Sequence, residues 1–230
     1  STDNPLLIGG NKDFAPLEFL NSEGNPDGFS IELMKAVARG KGLNIKFDLS
    51  LWSNARSDLK DGKIDAVSGM LYAKERDKVF DFSAPYVNIS YMIFIRTGTP
   101  INSIDDLKGK EIIVVEDVSA HDWLIKNRIT DSIITVNGSS EALKLLASGK
   151  HDCAILPRLH GLERLKDAGF SNIETIGPPI LEKPLCFAVA EDNDDLLAEL
   201  NEGLFIVQRS GEYDEILLKW ASVYEHQKRL

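Results

Sequence analysis

The sequence predicts an α/β protein built as two lobes. Strand-like and helix-like patterns alternate from residue 6 onward, and the alternation starts afresh near residue 90. Two helical stretches then follow the last strand pattern with no strands of their own. Each series is too short for a large α/β domain, and 230 residues suit one large domain or two small ones. The economical reading returns the final helices to the first lobe. That lobe is then discontinuous, and two chain crossings join it to the second.

In the first series, Leu6–Gly10 (LLIGG) is a short apolar strand ending in glycines. Ser30 suits an N-cap ahead of Ile31, Leu33, Met34, Val37 and Ala38, which share one helix face, and Gly40 or Gly42 suits the stop. Asn44–Asp48 (NIKFD) alternates as a strand, Trp52–Asp61 reads as a helix closed by Gly62, and Ile64–Ser68 (IDAVS) is a third strand. This order implies a parallel sheet with right-handed crossovers.

The second series opens with the strand Tyr91–Arg96 (YMIFIR). Ser103 and Asp106 have capping-box spacing before a short helix that Gly109 ends. Strands follow at Glu111–Val115, Ser132–Val136 and Asp152–Leu156, with helices at Ser119–Lys126, Ser140–Ser148 and about Leu159–Asp167. After the strand Leu185–Ala190 come helices over roughly Asp194–Arg209 and Tyr213–Ser222. Asp65 and Asp152 both sit in a G-K-x-D pattern before a strand, which suggests a structural role at a turn. In open α/β sheets ligands sit beyond the carboxyl ends of strands, which here places a cleft between the lobes.

Composition narrows the function. Twenty-six basic against 36 acidic residues leave a formal charge of −10, which argues against nucleic acid as a partner. Hydrophobic residues at 43% supply material for a core, yet no apolar window is long enough to span a bilayer. The chain begins at Ser1 with no basic-then-apolar leader, as expected of a processed piece of a longer product. Cys153 and Cys186 lie in apolar strand patterns and read as buried thiols, with a disulfide as the alternative. The histidines lack metal-ligand spacing, so neither a metal nor another cofactor is expected.

Four blocks in order resemble one family. IGGNKDFAPLEF with GFSIELMKAV, then LKDGKIDAVSGMLYAKERDKVFDFSAPY, LKGKEIIVVEDVSAHDWL and GEYDEILLKW are similar to the bacterial extracellular solute-binding proteins of family 3, the polar-amino-acid type. The resemblance spans about residues 5–222. It implies a two-lobed Venus-flytrap fold, the type II periplasmic-binding-protein fold, that closes on a small ligand without transforming it. Lobe 1 would be residues 1–89 with 191–230, and lobe 2 residues 90–190.

Ligand-binding positions carry over one at a time. Asn11 and Phe14 match the first binding loop, and Trp52 a position where an apolar or aromatic side chain covers the ligand. Ser68, Gly69 and Leu71 match the strand end that offers backbone groups. Arg76 matches the arginine that grips the ligand's α-carboxylate, for which a guanidinium offers two parallel donors. Ser119 matches the hydroxyl residue at the facing helix N-terminus, where main-chain amides also favour an anion. By themselves these residues have plainer readings: Arg76 in KERDK as a solvated arginine, Phe14 and Trp52 as core, Ser119 as a helix cap. Glu18 and Glu116 read as acids that could be buried.

The chain also departs from the family pattern. Where amino-acid binders place acids for the ligand's ammonium, this sequence has Asn11 in lobe 1 and Pro157 in lobe 2, and usual hydroxyl positions hold Leu71 and Ala73. A buried ammonium without an anion carries a heavy desolvation cost, so a small organic acid with an apolar portion is expected over a standard amino acid. Arg158, beside Pro157, adds a second positive group.

PRLHGLERLKDAGFSNIETIGPPI and LCFAVAEDNDDLLAELNEGLFIVQRSGEYDEILLKW look like the sensor versions ahead of histidine kinases and cyclic-dinucleotide signalling proteins. The tail ASVYEHQKRL then points towards a membrane helix and cytoplasmic signalling domains outside this chain. The expectation is a periplasmic sensor domain of an inner-membrane receptor. The alternatives are a free solute-binding protein of a transporter, and a dehydratase-like enzyme, for which His121 is the one candidate near Ser119.

Overall fold

A computed structural model describes residues 4–116 and 118–225. The first elements are β1 (Leu6–Asn11), β2 (Asp13–Phe14), β3 (Glu18–Leu20), β4 (Pro26–Asp27), α1 (Phe29–Lys41), β5 (Ile45–Ser50), α2 (Trp52–Lys60), β6 (Ala66–Leu71) and β7 (Phe80–Phe82). Next come β8 (Val87–Arg96), β9 (Ile112–Val115), α3 (Val118–Lys126), β10 (Ile133–Val136), α4 (Ser139–Ala147), β11 (Cys153–Pro157) and α5 (Arg158–Ala168). The chain ends with β12 (Ile173–Ala190), α6 (Asp194–Ser210) and α7 (Glu212–Glu225). Residues 226–230, which include the end of the expected tail, lie outside the described residues.

The chain forms two compact units. Unit 1 runs up to Val87 and resumes at Pro184, and unit 2 is Asn88–Lys183. The crossings therefore fall within β8 and β12, and the second lies before Leu185–Ala190 rather than after it. The reason is pairing: Leu185–Val189 is antiparallel to β6, and Ala188–Ala190 to β7, both in unit 1.

In unit 1, β5, β1 and β6 are parallel neighbours, as the β-α-β-α-β pattern requires, and β12 follows β6. A small antiparallel sheet of β2, β3 and β4 lies apart from it. Helix α1 begins one residue before the expected cap. Gly28 has φ 122°, and a Cβ there would stand 2.2 Å from the Leu17 carbonyl oxygen, so the entry to α1 demands glycine. The Gly28 carbonyl already accepts the Glu32 amide, which leaves Ser30 inside the helix, fully buried. Helices α6 and α7 do pack on α1. At Gly203 a Cβ would stand 2.6 Å from Val37, so α6 approaches α1 closely. Helix α7 is held by Glu32, which accepts from Trp220 Nε1 at 2.9 Å and pairs with Lys219.

In unit 2 the order is β10-β9-β11-β8, parallel except for β8 against β11. Met92, Phe94, Ile113, Leu143, Leu146 and Leu156 centre its core. The Ser103–Asp106 capping box is present, but it opens only a 3-10 turn, Ile104–Leu107. Strand β12 runs much longer than the expected Leu185–Ala190, because Gly177, Pro178, Pro179 and Pro184 disguise its first part as loop.

The repeated G-K-x-D pattern has one physical use in both units. Asp65 Oδ2 accepts the Leu7 amide at 2.7 Å, and Asp152 Oδ2 accepts the Glu111 amide at 2.7 Å. Each aspartate satisfies a main-chain donor where the neighbouring parallel strand begins. Cys153 and Cys186 are free, buried thiols, each pushed up to about 12 by burial.

Candidate functional site

Beyond β6 the chain turns through Ala73–Glu75 into the 3-10 turn Arg76–Lys78. Its charged residues divide sharply: Lys74, Glu75, Asp77 and Lys78 are exposed, whereas Arg76 is only 8% exposed. The solvated-arginine reading therefore fails. Arg76 Nη1 donates to the Leu71 carbonyl at 3.1 Å, and its guanidinium carbon lies 5.9 Å from the centre of the Trp52 ring. A guanidinium near an indole ring is drawn to its electron-rich face, which favours one orientation of the fork.

Trp52 opens α2 and is half-buried against a cluster that includes Leu59, Val67 and Phe80, so its core role is real. Arg56, one turn later, also has its guanidinium carbon 5.9 Å from that ring. Sequence reasoning missed Arg56, although the i, i+4 spacing from Trp52 on a helix was a usable signal. Leu71 is 8% exposed, with its carbonyl taken by Arg76.

The other unit 1 candidates gather around Glu18. Asn11, at the end of β1, is half-buried; its main-chain N–H donates to Glu18 Oε1 at 2.9 Å, and its Oδ1 accepts the Asp13 amide at 2.9 Å. Phe14 on β2 is half-buried. Ser68 and Gly69 are buried inside β6 rather than at its end. Ser68 donates its hydroxyl to Glu18 Oε2, and its carbonyl accepts the Tyr86 hydroxyl at 2.6 Å. Those groups of Ser68 serve the fold, because burial leaves no polar atom of a strand without use.

Glu18 is the buried acid that sequence reasoning undervalued. It is 2% exposed, and burial outweighs its hydrogen bonds from Ser68 and Asn11, raising the carboxyl to about 7. One acid among 36 carried no distinguishing pattern. Glu116, the other possible buried acid, is exposed.

In unit 2, Ser119 is buried in the first turn of α3, at 4% exposure. Arg158 is half-buried and begins α5 directly after β11. Pro157 closes β11 opposite Tyr91. His121 is partly exposed, with Nδ1 3.9 Å from Asp122. Among the described residues, no group of three or more His, Cys, Asp and Glu could hold a metal ion, and no helix is long and apolar enough to cross a membrane.

The motif blocks and the two β/α units agree with a direct comparison of families. The model of the bacterial extracellular solute-binding proteins, family 3, matches residues 6–223. The chain belongs to this family. This family 3 protein is 27% identical over 218 residues to a probable histidine-binding protein of Neisseria gonorrhoeae, covering 93% of this chain and 81% of that one. A crystal structure of a histidine kinase sensor domain with similarity to periplasmic binding proteins matches with TM-score 0.90 and 29% identity, over 95% of this chain and 96% of that one. An ancestral arginine-binding protein bound to glutamine matches with TM-score 0.84 and 30% identity, over 94% and 97%. The fold of this solute-binding protein is that of the type II periplasmic binding proteins.

Proposed function

We propose that this chain is the extracytoplasmic sensor domain of a membrane receptor of the histidine-kinase type, binding a small carboxylate-bearing solute without transforming it. The observation that carries the reading is the likeness to a histidine kinase sensor domain, TM-score 0.90 against 0.84 for the arginine-binding relative. Arg76 supports the carboxylate. It is a buried guanidinium braced by Trp52 and Leu71, which is how a bidentate anchor is pre-organised. Asn11, Phe14, Gly69, Leu71 and Trp52 complete the unit 1 contribution, and Ser119 and Arg158 are the unit 2 contribution. With Asn11 and Pro157 where acids would meet an ammonium, the favoured solute is an organic acid with an apolar portion.

Signalling in this reading is a population shift. The solute favours the closed form by its differential affinity, and α7, the last element of unit 1, carries the change onward. A free solute-binding protein of an amino-acid transporter is the second reading, favoured by the Neisseria relative that matches 93% of this chain.

A thermal-shift panel of small organic acids and amino acids tests the ligand. At least one carboxylate should raise the melting temperature of the wild type and leave Arg76→Ala unmoved. An equal shift in both would remove the carboxylate assignment. Reading the gene beyond the codon for Leu230 separates the roles: a membrane span followed by a kinase region fits the sensor, and a stop codon fits the transporter component.

A further inference from the structure

The Glu18 carboxylate is wedged between two strands. Strand β3 delivers it between β1 and β6, where Oε1 accepts the Asn11 amide at 2.9 Å and Oε2 accepts the Ser68 hydroxyl at 2.5 Å. Two glycines make the space. A Cβ on Gly10 would stand 2.7 Å from Oε2, and one on Gly69 would stand 3.3 Å from it. Ser68 Oγ has a second acceptor within reach, the Gly9 carbonyl at 3.5 Å. The carboxylate is thus the shared acceptor that ties the Asn11 end of β1 to β6.

We propose that Glu18 is a proton-operated positioning residue: as a carboxylate it pins the Asn11 end of β1, and on taking a proton from solvent it relaxes that hold. In the protonated state the O–H at Oε2 donates to Ser68 Oγ, and the Ser68 hydroxyl turns to the Gly9 carbonyl. The Asn11 amide then faces a neutral carbonyl oxygen, a weaker acceptor than the anion. The proton and every donor are accounted for, so both states are hydrogen-bonded and the group can titrate without unfolding the core.

No cation counters this behaviour: among the described residues, no positively charged side chain pairs with Glu18. The Tyr86 phenol faces it, itself held well above its ordinary range by burial and by the Glu18 charge. On β12, Cys186 has its thiol pushed up to about 12. The acids on adjoining elements are directed elsewhere. Glu32 on α1 is engaged by Lys219 and Trp220, Asp27 on β4 accepts the Gly28 amide, and Asp13 on β2 is exposed. Burial then brings the carboxyl to about 7, where small changes of pH alter its charge.

Asn11 is a ligand-binding position only on the solute-binding reading above; the proton-dependent hold on its main chain does not rest on that reading. Its test therefore uses ligand-free protein. The Asn11 amide is followed by ¹⁵N–¹H NMR from about pH 5 to about pH 9, spanning the range in which a raised carboxyl titrates. In the wild type its resonance should move with a midpoint near 7, and in Glu18→Gln that movement should vanish. Ser68→Ala removes a donor to the anion and should raise the midpoint. An Asn11 resonance that stays still in the wild type, or moves alike in Glu18→Gln, overturns the proposal. Should Glu18→Gln fail to fold, Ser68→Ala decides, and an unchanged midpoint overturns it. Failure here leaves the Arg76 reading standing, and loss of the Arg76 reading leaves this one standing.

Discussion

The hydroxyl of Tyr213 donates to the main-chain carbonyl of Tyr86. Tyr86 in turn donates its own hydroxyl to the Ser68 carbonyl, and it sits one residue before Val87, the last of the first segment of unit 1. The Phe29 ring lies 6.0 Å from Tyr86 and 5.9 Å from Tyr213, centre to centre. Helix α7, the departing chain and β6 are therefore tied by two hydroxyls around one aromatic cluster.

That relationship sets an order of costs. Tyr213→Phe loses one hydrogen bond and should destabilise the protein by about 1 kcal/mol. Tyr86→Phe leaves the buried Ser68 carbonyl without its hydroxyl donor and should cost more, up to about 3 kcal/mol. Urea unfolding midpoints of the two variants check this, and the reverse order would refute the link.

At Arg76 the geometry of the group should matter beyond its charge. Arg76→Lys keeps a cation but loses the planar fork placed 5.9 Å from the Trp52 ring centre, so it should restore little of the ligand-induced thermal shift lost in Arg76→Ala. A lysine variant that responds like the wild type would reduce Arg76 to a point charge.

Stability should depend on pH through Glu18. Its folded carboxyl is raised from 4.5 to about 7, so the folded state holds the proton more tightly than the unfolded chain. Stability from this group is therefore greatest below about pH 4.5 and is lost as pH rises through about 7. The full loss is on the order of 3 kcal/mol at about 1.4 kcal/mol per pH unit. Urea unfolding of wild type and Glu18→Gln across this range measures it; curves that run parallel would exclude the effect.

The paired aspartates should contribute unequally. Asp65→Ala removes a charged acceptor from the partly buried Leu7 amide and should cost about 1.5–3 kcal/mol. Asp152→Ala frees the exposed Glu111 amide to water and should cost less, which comparison of urea midpoints will show.

Both cysteines should be silent to a thiol reagent until the protein unfolds. Cys153 is 0% and Cys186 2% exposed, and each thiol is pushed up to about 12, so little thiolate is available at neutral pH. Rapid labelling of either under native conditions would contradict their placement.

Periodicity, turn glycines and order of elements were enough to reveal the two β/α series, the return of α6 and α7 to unit 1 and the Asp65 and Asp152 turns. All of these rest on local pattern or on short-range main-chain needs. Where proline and glycine broke the pattern, as in Ile173–Pro184, an extended strand was hidden. Ser30 had the right type for a cap but the wrong place, since Gly28 alone fits against the Leu17 carbonyl.

The order of apolar and polar residues by itself determined the α/β class, because periodicity is chain-local, whereas the family and the candidacy of Arg76 came from the resemblance of four sequence blocks to one family. The tertiary structure alone decided that Arg76 is buried near Trp52, that Ser68 is spent on Glu18 and Tyr86, and that burial raises the Glu18 carboxyl. Burial and hydrogen-bond partners come from residues distant in sequence, such as Glu18 and Ser68, and a carboxylate's charge depends on them rather than on its neighbours along the chain.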